Sequence, residues 1–363
     1  MKICHITSVH KYNDLRIFIK ECSSLASNGF DVTLLAPNCS DQLINNIKVK
    51  GVNLPLNHRG RILYGLKTLL QKALETGCDL FHIHDPELLM IALSLKRRNK
   101  IVIYDSHEDT PRQMLLKYWI SPFLRKTSSY SFEKYENYVA KRIDGIITST
   151  PFIRDRFYRI NKNTIDINNF PILSEIVNDT KWEDRLDESC YLGGLSEMRG
   201  IYEMVDSLNY NPYNLNLAGN FIPESTAESV KSRKGWEKVR FWGFANRKDV
   251  NEILARSKAG LVILRPAPSY LDSLPIKMFE YMAAGMPVIA SDFPLWKNIV
   301  EKNNCGICVN PMSPSEIAGA VKYIMTNNEM AKEMGEAGKY LVREKYNWKN
   351  EEQKLVHFYQ NLM

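Results

Sequence analysis

Asp272-Ser-Leu-Pro-Ile-Lys-Met-Phe-Glu280-Tyr-Met-Ala-Ala-Gly-Met-Pro-Val-Ile-Ala-Ser291 decides the fold. It reads as loop, helix, glycine stop and buried strand. Ser273 is placed to cap a helix, and Pro275 falls in the first turn, where its missing N–H costs nothing. Gly285 can end the helix in a left-handed conformation, Pro287 prevents its continuation, and Val288-Ile-Ala is a short apolar strand. The start of a helix offers free N–H groups and the positive end of its dipole, so it favours an anion. Lys277 adds a cation in that same turn, where a cation is unfavourable unless an anion is bound. Glu280 lies five residues past Pro275, roughly 7.5 Å along the axis at about 1.5 Å per residue. That is about the span from a bound diphosphate to the ribose of the same nucleotide.

The rest of the chain repeats this alternation. In the first half, Lys2–Thr7, Asp31–Ala36, Asp79–His84, Ile101–Asp105 and Gly145–Ser149 read as parallel strands with helical patterns between them. The first helical pattern puts Leu15, Phe18, Ile19, Cys22, Leu25 and Ala26 on one face and stops at Asn28-Gly29. A polar segment from Phe170 to Glu188, with Pro171, reads as a linker. Strands are expected next at Cys190–Gly193, Asn214–Ala218, Val239–Trp242, Gly260–Leu264, Val288–Ser291 and Gly306–Asn310, and Trp348 to Met363 reads as one amphipathic helix. The expected class is α/β, with two doubly wound, Rossmann-like domains at residues 1–170 and 171–345. Residues 346–363 form the closing helix. Ligands of open parallel sheets bind beyond the carboxyl ends of strands, so the loops after strands are the informative ones.

In the second half, Gly193-Gly194-Leu-Ser-Glu-Met-Arg199-Gly200 follows the first strand. Its two glycines let backbone N–H groups approach an anion, and Arg199 can clamp a phosphate with two hydrogen bonds. Phe241-Trp242-Gly243-Phe244 ends another strand. There Gly243 permits close approach, Phe244 can pack on a base, and Trp242 reads as a buried strand end. Leu217-Ala218-Gly219 reads as packing.

These motifs together resemble the signature of the retaining glycosyltransferases of family 4, which have the GT-B fold. That signature has two acidic residues separated by seven, then a helix, a Gly, a Pro and a strand. Asp272 and Glu280 form the pair here, with Asp272 where Glu is usual. The resemblance covers nearly the whole chain, and in that family the last helix crosses back to the first domain. It implies transfer of a hexosyl group from a nucleotide-diphosphate sugar to a hydroxyl of a glycan or lipid-linked acceptor, with retention and with no metal or other cofactor. It also implies roles. Arg199, Lys277 and the helix start after Ser273 and Leu274 would take up diphosphate charge, with Gly193 and Gly194 close by. Gly194 stands where the family often has an Arg. Glu280 would hold the ribose, and Gly243 and Phe244 the base. Asp272 would hydrogen-bond the sugar, and His107 would grip it from the other domain.

His107 lies in Ile103-Tyr-Asp105-Ser-His107-Glu108, a strand end with three ionisable residues. The preceding strand ends in His82-Ile-His84-Asp85-Pro86-Glu87. His82 and His84 alternate to one face and, with Asp85, suggest a metal site. Because the family transfers sugar without a metal, scaffolding of the cleft is the stronger reading. Many relatives have paired glycines after the first strand. This chain has Ser8-Val-His10-Lys11-Tyr-Asn-Asp14-Leu-Arg16. His10, Arg16, His84 and Glu108 are the candidates on the acceptor side.

The length of 363 residues suits two domains, and 44% hydrophobic with 25% charged residues is globular. No apolar run is long enough for a membrane span. The opening Lys2-Ile-Cys-His-Ile-Thr reads directly as a strand, with no signal peptide. Seven cysteines without framework spacing suggest a reducing cytoplasm. Cys305-Gly-Ile-Cys308 is a lone pair that reads as strand rather than zinc site.

Residues 1–170 hold 25 Lys and Arg against 16 Asp and Glu, so the whole positive excess lies in the first half. A basic half suggests an anionic partner. From Arg112 to Arg142 bases alternate with aromatics, among them Lys117, Tyr118, Trp119, Phe123, Arg125, Lys126, Tyr130 and Lys134. Two readings stand side by side: a surface resting on an anionic membrane, and a helix on the sheet with a solvated basic face. The bases match no nucleic-acid motif, so nucleic acid is not an expected partner. The expected location is the cytoplasm, peripheral on the inner face of the membrane, in bacterial surface polysaccharide synthesis. Two rivals remain open: another enzyme on the same fold, such as a nucleotide-sugar epimerase or a phosphorylase, and a non-catalytic relative that holds a sugar nucleotide.

Overall fold

A computed structural model of the chain describes residues 1–115, 121–177 and 180–362. The chain divides into two units, one of Met1–Asn169 with Lys349–Met363 and one of Phe170–Trp348. Both are α/β units built on an almost wholly parallel sheet.

The strands of the first unit are β1 (Lys2–Ile6), β2 (Asp31–Pro37), β3 (Gln42–Ile44), β4 (Ile47–Val52), β5 (Leu80–Ile83), β6 (Ile101–Ser106), β7 (Gly145–Thr148) and β8 (Thr164–Asp166). Their order is β3-β4-β2-β1-β5-β6-β7-β8, parallel except for β3 against β4. β1, β2, β5, β6 and β7 form where the apolar runs place them. Strands buried on both faces read as continuous apolar segments. β3, β4 and β8 were not expected. β3 and β4 form a hairpin across Asn45 and Asn46, both with positive φ (51° and 64°), the conformation of a two-residue primed turn. Ile47 and Val49 face in while Lys48 and Lys50 face out, which suits a sheet margin where lysine discourages edge pairing.

The strands of the second unit are β9 (Leu186–Leu192), β10 (Asn214–Ala218), β11 (Val239–Gly243), β12 (Ser257–Val262), β13 (Val288–Ser291) and β14 (Gly306–Val309), in the order β11-β10-β9-β12-β13-β14 and parallel throughout. Two cores cover the faces of this sheet. One contains Phe279, Tyr281, Met282, Met286 and Trp296, and the other Tyr191, Ile201, Leu215, Leu261 and Ile317. The supposed linker begins inside the first of these. Phe170 is buried and packs edge-on against Phe279 and Tyr346, with ring centres 4.8 and 5.2 Å away. β9 likewise starts earlier than expected, with its polar Glu188 and Ser189 paired to β10.

Each sheet has one point where the strand order reverses, between β1 and β5 in the first unit and between β9 and β12 in the second. Loops that leave neighbouring strands in opposite directions open a crevice there. Most candidate residues gather at these two places, while Gly243 and Phe244 end the edge strand β11.

The closing helix, Trp348–Asn361, joins the first unit from Lys349 onward. Phe358 packs where Gly145 has no side chain; a Cβ there would lie 2.7 Å from the Phe358 ring. Tyr359 is buried among the histidines described below.

Candidate active site

The Gly193 loop leaves β9 at the reversal point of the second unit. Three strand ends are tied here: Gly193 N–H donates to Ala218 O (2.9 Å), and Gly219 N–H to Gly243 O (2.7 Å). Gly193 and Gly219 have φ of 131° and 142°, a region that favours glycine. A Cβ on Gly219 would sit 1.9 Å from Gly193 O, so Gly219 is what lets the two loops touch. Gly219 read as packing in the sequence; what it packs against is the Gly193 loop.

Two cations meet over this loop. A Cβ on Gly193 would lie 2.8 Å from Lys277 Nζ and 3.9 Å from Arg199 Nη1, and one on Gly194 would lie 3.0 Å from the same Arg199 nitrogen. Lys277 is partly exposed as a residue, yet its Nζ is buried and has no hydrogen-bond partner among the described residues. Nζ stands 3.6 Å above the centre of the Tyr191 ring, where the ring face attracts a cation. Burial first, and repulsion from Arg199 second, push the Lys277 ammonium well below its ordinary pKa. Tyr191, unremarked in the sequence, also donates its hydroxyl to Gly194 O at 3.0 Å.

Lys277 comes from the helix Ile276–Ala283, whose start differs in detail from the sequence reading. Pro275 is the N-cap and Ser273 does not cap; its Oγ donates to Tyr270 O at 2.8 Å. Ser273 instead fixes the loop after β12, because the buried Trp296 donates Nε1–H to Ser273 O at 2.8 Å. Leu274 packs its side chain on the core. Asp272, in the same loop, has its carboxyl pushed up by burial. Gly285, at φ 70°, ends the helix as expected. One turn past Lys277, Glu280 accepts from Arg247 Nη1 at 2.9 Å, and Arg247 also pairs with Glu175 at 2.7 Å. Arg247 carried no signal in the sequence. Gly243 and Phe244 close β11, with Gly243 at φ 64° and Phe244 76% exposed. Trp242 is anchored through Nε1–H to Asn216 Oδ1 at 3.1 Å.

In the first unit the reversal point carries histidines. Asp85 follows β5 and accepts from Thr7 Oγ1 (2.8 Å) and from Ser8 N–H (2.6 Å), stapling the loop after β1. His10 of that loop stands between Asp14 (3.5 Å) and Asp85 (3.3 Å). Hydrogen bonding to Asp14 and then to Asp85 raises His10 to about 10. His107 follows β6, with Nε2 2.9 Å from Asp105 Oδ2 and its side chain 17% exposed. Glu108 is exposed beside it.

Two acceptor-side candidates lie elsewhere than expected. Arg16 is buried: it donates Nε–H and Nη2–H to Asp105 at 2.9 and 2.8 Å and Nη1–H to Ile167 O at 2.7 Å, with Glu21 at 3.1 Å. Its donors are spent inside, so Arg16 holds Asp105 rather than a ligand. His84 is also buried, with Nε2 2.9 Å from His5 Nδ1 and Nδ1 3.3 Å from Asp105 Oδ2. Donor atoms of His5, Glu21, His82 and His84, and of His84, Asp105 and His107, lie within 4.8 Å of one another. That spacing suits an ion, although His5 and His84 spend ring nitrogens on each other.

Two Rossmann-like α/β units on parallel sheets are the architecture of glycosyltransferases of the GT-B fold. Residues 18–167 match the family model "Glycosyltransferase Family 4", and residues 174–340 match "Glycosyl transferases group 1". The chain belongs to the family 4 type of glycosyltransferase, one matched model falling on each unit. An uncharacterized glycosyltransferase of Methanocaldococcus jannaschii is 27% identical over 178 residues, 48% of this chain and 44% of that protein. The match thus spans less than half of that relative's length. Sucrose-phosphate synthase from Thermosynechococcus elongatus has a similar fold, with a TM-score of 0.80 and 17% identity over 99% of this chain and 98% of that one. Anabaena HepE, solved in complex with UDP, has a TM-score of 0.76 and 15% identity over 99% and 100%.

Proposed function

We propose that the chain moves a hexosyl group from a nucleotide-diphosphate sugar to a hydroxyl of a glycan or lipid-linked acceptor, with retention and without a metal. The observation that carries this reading is the meeting of Lys277 and Arg199 over Gly193 and Gly194. An unpaired buried ammonium costs several kcal/mol, and a departing diphosphate is the charge that offsets it. UDP in the HepE complex supports a nucleotide diphosphate as the leaving group. Glu280 is assigned to the ribose, Gly243 and Phe244 to the base, Asp272 and His107 to the sugar. His10 and Glu108 are left for the acceptor. No side chain is assigned as a nucleophile.

The acceptor is proposed to be carried on an anionic membrane, in surface polysaccharide synthesis on the cytoplasmic face. The support is the helix Pro122–Ala140, which exposes Phe123, Leu124, Lys126, Tyr130, Lys134 and Tyr138. Lys117, Tyr118 and Trp119 lie outside the described residues. No helix of the described residues is long and apolar enough to cross a membrane.

The test is release of nucleoside diphosphate from a panel of sugar nucleotides with lipid-linked acceptors, and the anomeric configuration of the product. Near-wild-type rates in all of Arg199→Ala, Lys277→Ala and Glu280→Ala would overturn the site.

A further inference from the structure

Asp105 Oδ2 is the meeting point of several donors in the first unit. Arg16 Nε–H reaches it at 2.9 Å, His107 Nε2 stands at 2.9 Å and His84 Nδ1 at 3.3 Å. The two ring nitrogens are themselves 3.2 Å apart, as expected when both N–H groups converge on one oxygen. The carboxylate is ionised. Burial opposes this, but Arg16 and then His107 hold Asp105 well below the usual carboxylate range.

An anionic oxygen accepts and cannot donate, so it fixes the tautomers around it. His84 carries its proton on Nδ1, which leaves Nε2 to accept from His5 Nδ1–H at 2.9 Å. His5 Nε2 then accepts from the Tyr359 hydroxyl at 3.3 Å, and Tyr359 O accepts from His82 Nδ1–H at 2.7 Å. The chain ends at His82 Nε2, a buried atom with no hydrogen-bond partner among the described residues. In this direction that end is a bare lone pair. In the opposite direction it would be an orphaned buried N–H, the rarer defect, and a His84 lone pair would face the carboxylate. Both considerations select the same direction. Burial also keeps these rings neutral, lowering His5 and His82 well below the ordinary histidine value and His84 to about 4.

We propose that Asp105 is the positioning residue for His107. Its carboxylate accepts a hydrogen bond from Nε2–H, so Nδ1 is the nitrogen turned to a ligand, and in the neutral ring it accepts from a hydroxyl. This deepens the reading of His107 as a sugar contact and rests on it for its functional sense. Arg16 holds Asp105 in a two-pronged pair, and the buried histidines with Tyr359 supply the second donor that keeps Oδ2 in place. The logic is that of an orienting carboxylate behind a working imidazole.

The test is nitrogen NMR of the full chain carrying ¹⁵N-histidine, followed upward in pH until the His107 ring is neutral, with the His107 resonances assigned by their loss in His107→Gln. The expected spectrum has His107 protonated on Nε2 alone, and His5, His82 and His84 protonated on Nδ1 alone. A neutral His107 ring protonated on Nδ1 instead of Nε2 would overturn the proposal. This readout does not depend on sugar transfer, so it can fail while the function stands, and the reverse. In Asp105→Asn, the Nε2-only pattern of His107 is expected to be lost. In the same variant kcat should fall roughly 100-fold or more, with the KM for donor changed less than threefold. If that variant does not fold, the wild-type spectrum alone decides.

Discussion

Lys277 Nζ lies 3.6 Å from the centre of the Tyr191 ring and has no hydrogen-bond partner among the described residues. The aromatic face only partly offsets the desolvation of the ammonium. Replacement by an apolar side chain of similar length should therefore stabilise the empty protein while removing the anion site. Lys277→Met is expected to raise unfolding stability by about 1–3 kcal/mol and to weaken nucleoside diphosphate binding by about 100-fold. Lys277 is lowered in the folded state relative to 10.5, so the unfolded chain binds the proton more tightly. Wild-type stability should rise with pH towards 10.5 in this window, and the variant should lack that part of the slope. Denaturant titrations at several pH values measure both effects.

Gly219→Ala should damage the same site from the backbone. Its methyl group would meet the backbone oxygen of Gly193 at 1.9 Å, and φ of 142° is hostile to a side chain. A loss of about 2–4 kcal/mol is expected. Surviving folded protein should bind nucleotide more weakly, because the Gly193 loop must move. Unchanged stability and affinity would show that the loops are not held as described.

His10 links the loop after β1 to Asp85, and its contribution depends on pH with a definite sign. Its folded value of about 10 lies above the ordinary 6.5. The contribution is complete below 6.5 and is lost as pH rises through about 10. On the acid side Asp14, which burial pushes up but His10 draws down to about 2, gives a contribution present above 3.8 and lost as pH falls through about 2. The His10 side chain is 34% exposed, so solvent screening leaves a cost for His10→Gln of about 1 kcal/mol. That cost, measured by thermal unfolding, should be present at pH 6 and gone above pH 10.

The exposed face of the helix Pro122–Ala140 should bring the protein to anionic vesicles. Phe123 is 78% exposed, with Lys126 and Lys134 exposed along the same helix. Phe123→Glu should reduce co-sedimentation with phosphatidylglycerol vesicles about tenfold, and added salt should reduce it further. Equal retention on neutral vesicles, or none on anionic ones, would rule against a membrane surface here.

The doubly wound units were legible because buried parallel strands announce themselves as apolar runs, and Gly285 marked the helix end. β3 and β4 were missed although Asn45-Asn46 is a primed-turn pair between alternating segments, a signal hidden by the lysines of a sheet margin. That Gly193, Gly194, Arg199 and Lys277 come together was legible because glycines and cations cluster in the loops after strands. Tyr191, Trp296 and Arg247 were not, since their roles depend on which strands become neighbours. Arg16 and His84 were misplaced for the same reason. Sequence gives their charge and position on a loop or strand, whereas their inward direction follows from Asp105, which lies far from both in the chain.

The second unit is proposed to hold a nucleoside diphosphate over Gly193 and Gly194 between Arg199 and Lys277. The most direct test is thermal unfolding of the wild type, Arg199→Ala and Lys277→Met with uridine, guanosine, adenosine, thymidine and cytidine nucleotide sugars. At about a hundred times its dissociation constant a true ligand adds about 2.7 kcal/mol. A rise is expected in the wild type with one base series, and its loss in both variants. A rise in none of them, or one that survives both substitutions, would contradict this placement.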